Sequence, residues 1–128
     1  AKAVHVWPDG WVNMAMKSQN LDKDEFWRRY PNPEHPVVRT HPQTGRRSLF
    51  VNTAFTRQIV GMEQSESDAL LAFLYSQAAI PEYQCRFRWS KNSVAFWDNR
   101  CTQHYAVADF YPQRRVVERI TICGDKPV

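Results

Sequence analysis

Between Trp97 and Ile122 the chain reads WDNRCTQHYAVADFYPQRRVVERITI, and the end of this stretch is what most constrains the fold. From Arg114 the residues run RRVVERITIC. Alternation of this kind predicts a strand, because successive side chains on a strand point to opposite faces. Arg115, Val117, Arg119, Thr121 and Cys123 then share one face, and Arg114, Val116, Glu118, Ile120 and Ile122 the other. Ile120 and Ile122 make the second face apolar. The sheet core is expected there, with the arginine face looking into a cavity. Two arginines four apart on one strand face lie roughly 13 Å apart at about 3.3 Å per residue. That leaves room for two small anions, or for one anion beside a metal-bound group.

Arginines on strands also occur as solvated edges, where an ion pair contributes little. A buried guanidinium, by contrast, needs an anionic partner. Its planar fork suits a carboxylate, to which it can make two parallel hydrogen bonds.

A chain of 128 residues suits a single domain. Trp7, Trp11, Trp27, Trp89 and Trp97 are spread along it and favour a core and aromatic-lined pockets. The net charge of +4 comes from basic residues interspersed with acids. Such mixing argues against a nucleic-acid-binding tail and licenses at most a preference for anionic ligands. Cys85, Cys101 and Cys123 are odd in number and lack C-x-x-C spacing. They read as free thiols in a reducing, cytoplasmic setting. No apolar run approaches a membrane span and no signal-peptide pattern opens the chain, so no membrane partner is expected.

Along the chain, residues 3–16 read as two short strands around a Pro8-Asp9-Gly10 turn. Residues 21–30 begin acidic and end basic, which suits a short helix. Pro31, Pro33 and Pro36 close it with a rigid connector. Residues 37–41 and 47–52 flank PQTGRR and predict a β-hairpin, with Gly45 available for a positive φ. Residues 53–61 carry no clear signal. Residues 64–79 give the clearest helix, capped by Ser65 and bearing a stripe of Leu70, Leu71, Phe73, Leu74 and Ala78, with Pro81 barring its continuation. Residues 83–90 and 94–97 alternate around Lys91-Asn92-Ser93 and predict a tight hairpin. The Arg-aromatic alternation of 83–90 could stack bases, but half-buried strands are patterned the same way. Several strands with one long helix indicate a mostly β, α+β fold: a sandwich or jelly roll with flanking helices.

Of the four histidines, His35 and His41 each precede a proline beside the hairpin and read as structural or exposed. His5 lies among apolar residues and reads as a core or pocket histidine. None is followed two residues later by Asp or Glu, and neither a zinc-type cluster nor a glycine-rich phosphate loop is present. No nucleophile elbow supports Ser-His-Asp chemistry. Residue chemistry alone leaves His104 open as a metal ligand or an ordinary polar residue.

The block WDNRCTQHYAVADFYPQRRVVERITICGDKP resembles the C-terminal signature of the taurine/α-ketoglutarate dioxygenase family. HPVVRTHPQTGRRSLFVN at 35–52, the long helix and the RFRW-turn-VAFWDNR hairpin extend the likeness over residues 35–127. The resemblance implies a double-stranded β-helix (jelly roll), of which residues 1–128 form the C-terminal half as one partial catalytic domain. It implies Fe(II), held by two histidines and a carboxylate, with 2-oxoglutarate and O2 as co-substrates. By position, His104 matches an iron histidine and Arg115 the arginine that binds the far carboxylate of 2-oxoglutarate. Arg119 matches an arginine near the substrate sulfonate, and Phe55 an aromatic residue lining the substrate pocket. Trp97 and Asp98 are expected to buttress the site. The reaction implied is hydroxylation of the carbon beside a sulfonate, taurine or a related alkylsulfonate, which releases sulfite and an aldehyde. Alkyl sulfates and aryloxy acids are the alternative substrates within the family. A homo-oligomer, dimer or tetramer, is also expected.

One departure bears on all of this. The family's His-x-Asp ligand pair lies upstream and has no counterpart in this sequence. The chain is therefore expected to hold the second half of an active site. A non-catalytic anion-binding domain is the competing reading.

Overall fold

A computed structural model describes residues 1–128. The first strand, β1 (Lys2–His5), is the centre of the fold. It pairs antiparallel with β2 (Glu34–Pro36) on one side and β5 (Thr56–Ile59) on the other, giving the order β2-β1-β5. The register places Ala3 opposite His35 and Ile59, and it shifts by a bulge between Val4 and His5. A second antiparallel pair, β3 (Val38–Thr40) and β4 (Arg47–Leu49), is the hairpin predicted around Gly45, whose φ is +68°. Only a residue that tolerates the left-handed region closes such a turn without strain.

The segment after β1 corrects the expectation of two strands. Pro8 sits at the N-cap with extended backbone, and Asp9–Gln19 form helix α1. Proline at a helix start loses no needed donor, and Asp9 in the first turn complements the helix dipole. The Pro-Asp-Gly that reads as a hairpin turn is thus a helix entry. Helix α2 (Lys23–Arg29) forms where expected, closed by a reciprocal capping box in which Asp22 accepts from the Glu25 amide and Glu25 from the Asp22 amide.

Helix α3 (Gln64–Ser76) continues into two 3-10 turns, Gln77–Ala79 and Pro81–Tyr83. Its N-cap is Glu63 without a side-chain cap, not Ser65. Of the expected stripe only Leu71 is fully buried, while Phe73 is 61% exposed. Ser67 is also buried, and its hydroxyl accepts the Ile59 amide at 2.8 Å, tying α3 to β5. Tyr75 adds a second tie, its hydroxyl donating to the Thr56 carbonyl at 2.8 Å. The core is Ala3, Val37, Val51, Ile59 and Leu71, with Val38, Met62, Leu74 and Tyr75 packed around it.

Beyond Tyr83 no helix or strand forms. This overturns the strands expected at 83–90, 94–97 and 114–123. Ile120 and Ile122, expected to face a core, are 93% and 74% exposed. A strand is held by neighbours that take up its backbone groups and cover its apolar face. None of the three segments has such a neighbour here: the backbone hydrogen bonds beyond residue 84 close local turns or reach the hairpin. The observed architecture is accordingly α+β, with short strands and three helices in residues 1–83 and an irregular segment laid against them.

Candidate functional site

The irregular segment meets the folded part chiefly at the β3–β4 hairpin, and Asp98 is the hub of that junction. His41, buried at the end of β3, uses its Nδ1 to accept the Thr44 amide at 3.2 Å and the Gln43 amide at 3.3 Å. With Nδ1 accepting, the proton resides on Nε2. Nε2 then donates to Asp98 Oδ2 at 3.0 Å. The Arg100 guanidinium reaches the same carboxylate through Nε (2.9 Å to Oδ1) and Nη2 (2.7 Å to Oδ2), and its Nη1 donates to Gln43 Oε1 at 2.6 Å. Hydrogen bonds from Arg100 and His41 hold the Asp98 carboxyl far below the usual carboxylate range, and the Asp98 carboxylate in turn raises Arg100.

Backbone geometry completes a compact knot. The Arg100 amide donates to Asp98 Oδ1 at 2.8 Å. The Thr102 hydroxyl and amide donate to the Asp98 carbonyl at 2.7 and 3.0 Å. Gln103 Nε2 then donates to the Val51 carbonyl at 2.8 Å. Trp97, Asp98 and Arg100 are partly buried, whereas the residues from Cys101 to Asp109 are exposed.

His41, Asp98 and Cys101 bring their donor atoms within 4.8 Å of one another, a spacing that could hold a metal ion. The proton placement argues otherwise. A cation there would have to displace both the His41 Nε2 proton and the Arg100 guanidinium from one carboxylate. The cluster is a hydrogen-bonded junction.

Of the residues picked out from the sequence, His104 follows this junction directly along the chain. His104 is exposed, and its ring rests on Trp97 at 5.0 Å between centroids. Its ring nitrogens make no hydrogen bond, which leaves an imidazole steadied by an aromatic contact and free to donate a lone pair. Arg115 is exposed with its guanidinium 5.7 Å from the Phe110 ring centroid. Arg119 is exposed as well, and Phe55 is 37% exposed in the loop before β5. His104, Arg115 and Arg119 are all exposed, so the expected shared hollow is not enclosed within this chain. His104 fits as one imidazole donor of an iron site. The grouping of three metal-donor side chains within reach of one another, His41, Asp98 and Cys101, does not include it.

The other histidines behave as read from the sequence. His5 is buried, packing edge-on to His35 at 4.9 Å and stacking with Phe50 at 5.9 Å. Burial, and then the neighbouring His35, push the His5 imidazole down to about 4. The cysteines are free and exposed.

Comparison with known proteins fixes the family. A sequence model described as "Taurine catabolism dioxygenase TauD, TfdA family" matches residues 4–121. The chain belongs to this dioxygenase family. Among curated members it is 48% identical over 92 residues to an alkylsulfatase from Acinetobacter baylyi, covering 72% of this chain and 29% of that protein. It is 45% identical over 95 residues to an alpha-ketoglutarate-dependent sulfate ester dioxygenase from Pseudomonas putida, covering 74% and 31%. A putative alpha-ketoglutarate-dependent sulfonate dioxygenase from Schizosaccharomyces pombe is 47% identical over 94 residues, covering 73% and 24%. Among solved structures, a taurine dioxygenase from Burkholderia xenovorans matches with a TM-score of 0.60 at 38% identity, covering 78% of this chain and 29% of that one. The chain therefore spans less than a third of the length of these family members.

Proposed function

We propose that these 128 residues are the C-terminal part of the catalytic jelly roll of an Fe(II)- and 2-oxoglutarate-dependent dioxygenase. The observation that carries this is the family match across residues 4–121, which runs through His104, Arg115 and Arg119. His104 supplies one iron ligand. The remaining ligands come from outside this chain, as does the partnering that would order residues 84–128 into strands. When bound, the metal supplies oxidation of an unactivated carbon by O2, coupled to decarboxylation of the keto acid.

The chain's own residues then bind and orient. Arg115 takes the far carboxylate of 2-oxoglutarate through its bidentate fork. Arg119 neutralises the anionic group of the substrate, and Phe55 lines the apolar side of its pocket. Both arginines are free of acidic side-chain partners, since neither takes part in an ion pair. The substrate class is a small sulfonate such as taurine, cleaved to sulfite and an aldehyde. Alkyl sulfates are the second reading, favoured by the named activities of the Acinetobacter and Pseudomonas relatives. The enzyme works as a cytoplasmic homo-oligomer. No helix is long and apolar enough to cross a membrane.

The test is turnover by the full-length protein with taurine and with a short alkyl sulfate, following succinate formation and sulfite or sulfate release. His104→Ala is expected to abolish substrate-dependent succinate formation. Normal turnover in that variant removes His104 from the metal site. Binding of 2-oxoglutarate that is indifferent to Fe(II) favours the non-catalytic anion-binding domain.

A further inference from the structure

We propose that Asp98 is a positioning residue for His104, acting through the junction it makes with His41, Arg100 and Gln43. The inference rests on the reading of His104 as an iron ligand. Its geometric basis does not. Residues 84–128 carry no regular structure, and an exposed segment of that kind does not hold a side chain in one place. The stretch from Asp98 to Gln103 is the exception. One carboxylate receives His41 from the hairpin and Arg100 from its own turn. The same residue's carbonyl receives Thr102, and Gln103 fastens the far end to Val51. His104 is the next residue. Trp97, immediately before Asp98, packs on the His104 ring, so the knot fixes both the backbone that carries the imidazole and the surface it leans on.

The carboxylate is needed as such. His41 Nε2 and the Arg100 guanidinium are both donors, so an amide at position 98 would turn a donor toward one of them. The β3–β4 hairpin thus has a task beyond its own stability. It anchors, from a distance of some 57 residues in sequence, the segment that presents the metal ligand.

Two measurements on the full-length protein test this: anaerobic calorimetry with Fe(II), and amide exchange over residues 98–104. Asp98→Ala is expected to weaken Fe(II) about tenfold, the scale at which groups behind a ligand act on metal affinity. Exchange at the Arg100 and Thr102 amides should quicken about tenfold as their acceptors are lost or loosened. A second substitution, His41→Ala, should add little in the Asp98→Ala background, because the two act as one unit. His104→Ala should weaken Fe(II) at least as much while leaving exchange at 100 and 102 unchanged. Retained Fe(II) affinity in His104→Ala overturns the iron-ligand reading, and the role of Asp98 with it. Lost affinity in His104→Ala but retained affinity in Asp98→Ala overturns the positioning role alone. Should Asp98→Ala not fold, Gln43→Ala removes only the outermost bond of Arg100. It is expected to weaken Fe(II) about threefold, the lower end of what one hydrogen bond contributes. Unchanged affinity and unchanged exchange in Gln43→Ala also overturn the role.

Discussion

Arg115 illustrates how a single side chain depends on what surrounds it. In this chain its guanidinium is solvent-exposed near the face of Phe110. An exposed contact of that kind contributes about 1 kcal/mol at most. The same group enclosed around a keto-acid carboxylate behaves differently, because removing one member of a desolvated charge pair costs about 3–5 kcal/mol. Arg115→Ala is therefore expected to weaken 2-oxoglutarate by that amount in the full-length enzyme, read as its dissociation constant by calorimetry. In the isolated 128-residue chain the same substitution should leave the weak binding of any dicarboxylate unchanged. A full-length affinity within twofold of wild type would remove Arg115 from the co-substrate site. Asp98 shows the converse limit of reading residues singly. The WDNR motif marks it as a buttress, but nothing local indicates that its partner is His41. That pairing joins two turns far apart in sequence, and only the fold brings them together.

At the scale of elements, legibility followed the range of the interactions that make each one. The β3–β4 hairpin and helix α2 are set by neighbours in sequence: Gly45 at positive φ in one, the Asp22–Glu25 box in the other. Both were readable. Helix α1 departs from its sequence pattern because Pro-Asp-Gly serves a helix start as well as a turn, and the burial of Val12 that decides between them is tertiary. Strand β1 is short but central, and its burial has a consequence for pH. His5 at its end titrates near 4 in the fold against 6.5 when unfolded, because burial and His35 disfavour the charged form. The unfolded chain thus binds the extra proton first, and stability falls as pH drops from about 6.5 toward 4. A loss of roughly 2 kcal/mol is expected from this residue. Urea denaturation of wild type at pH 7 and pH 4.5, beside His5→Gln, checks it. The variant should lose less than wild type on acidification, and an equal loss in both would assign the effect elsewhere.

Across the whole molecule the chain divides by whether its strands have partners. Residues 1–83 build a small core on β1, β5 and α3. Residues 84–128 carry the clearest strand patterning in the sequence and yet form no strand, leaving Val94, Phe96, Ile120 and Ile122 each more than 70% exposed. Alternation specifies which face of a strand should be covered; it cannot supply the cover. The relatives matched here are more than three times as long as the matched region, and under the function proposed above the rest of the domain would supply the cover and the hydrogen-bonding edges. The consequence can be measured by hydrogen exchange. In the isolated chain the amides of 94–97 and 114–123 should exchange nearly as fast as an unfolded peptide, whereas those of β1 are protected by the ladders to β2 and β5 on either side. In the full-length protein the two segments should become protected to a degree comparable with β1, as paired strands buried on one face do. Persistent fast exchange there in the full-length protein would mean that residues 84–128 are not sheet strands of the catalytic domain, and that Arg115 and Arg119 do not face a common cavity.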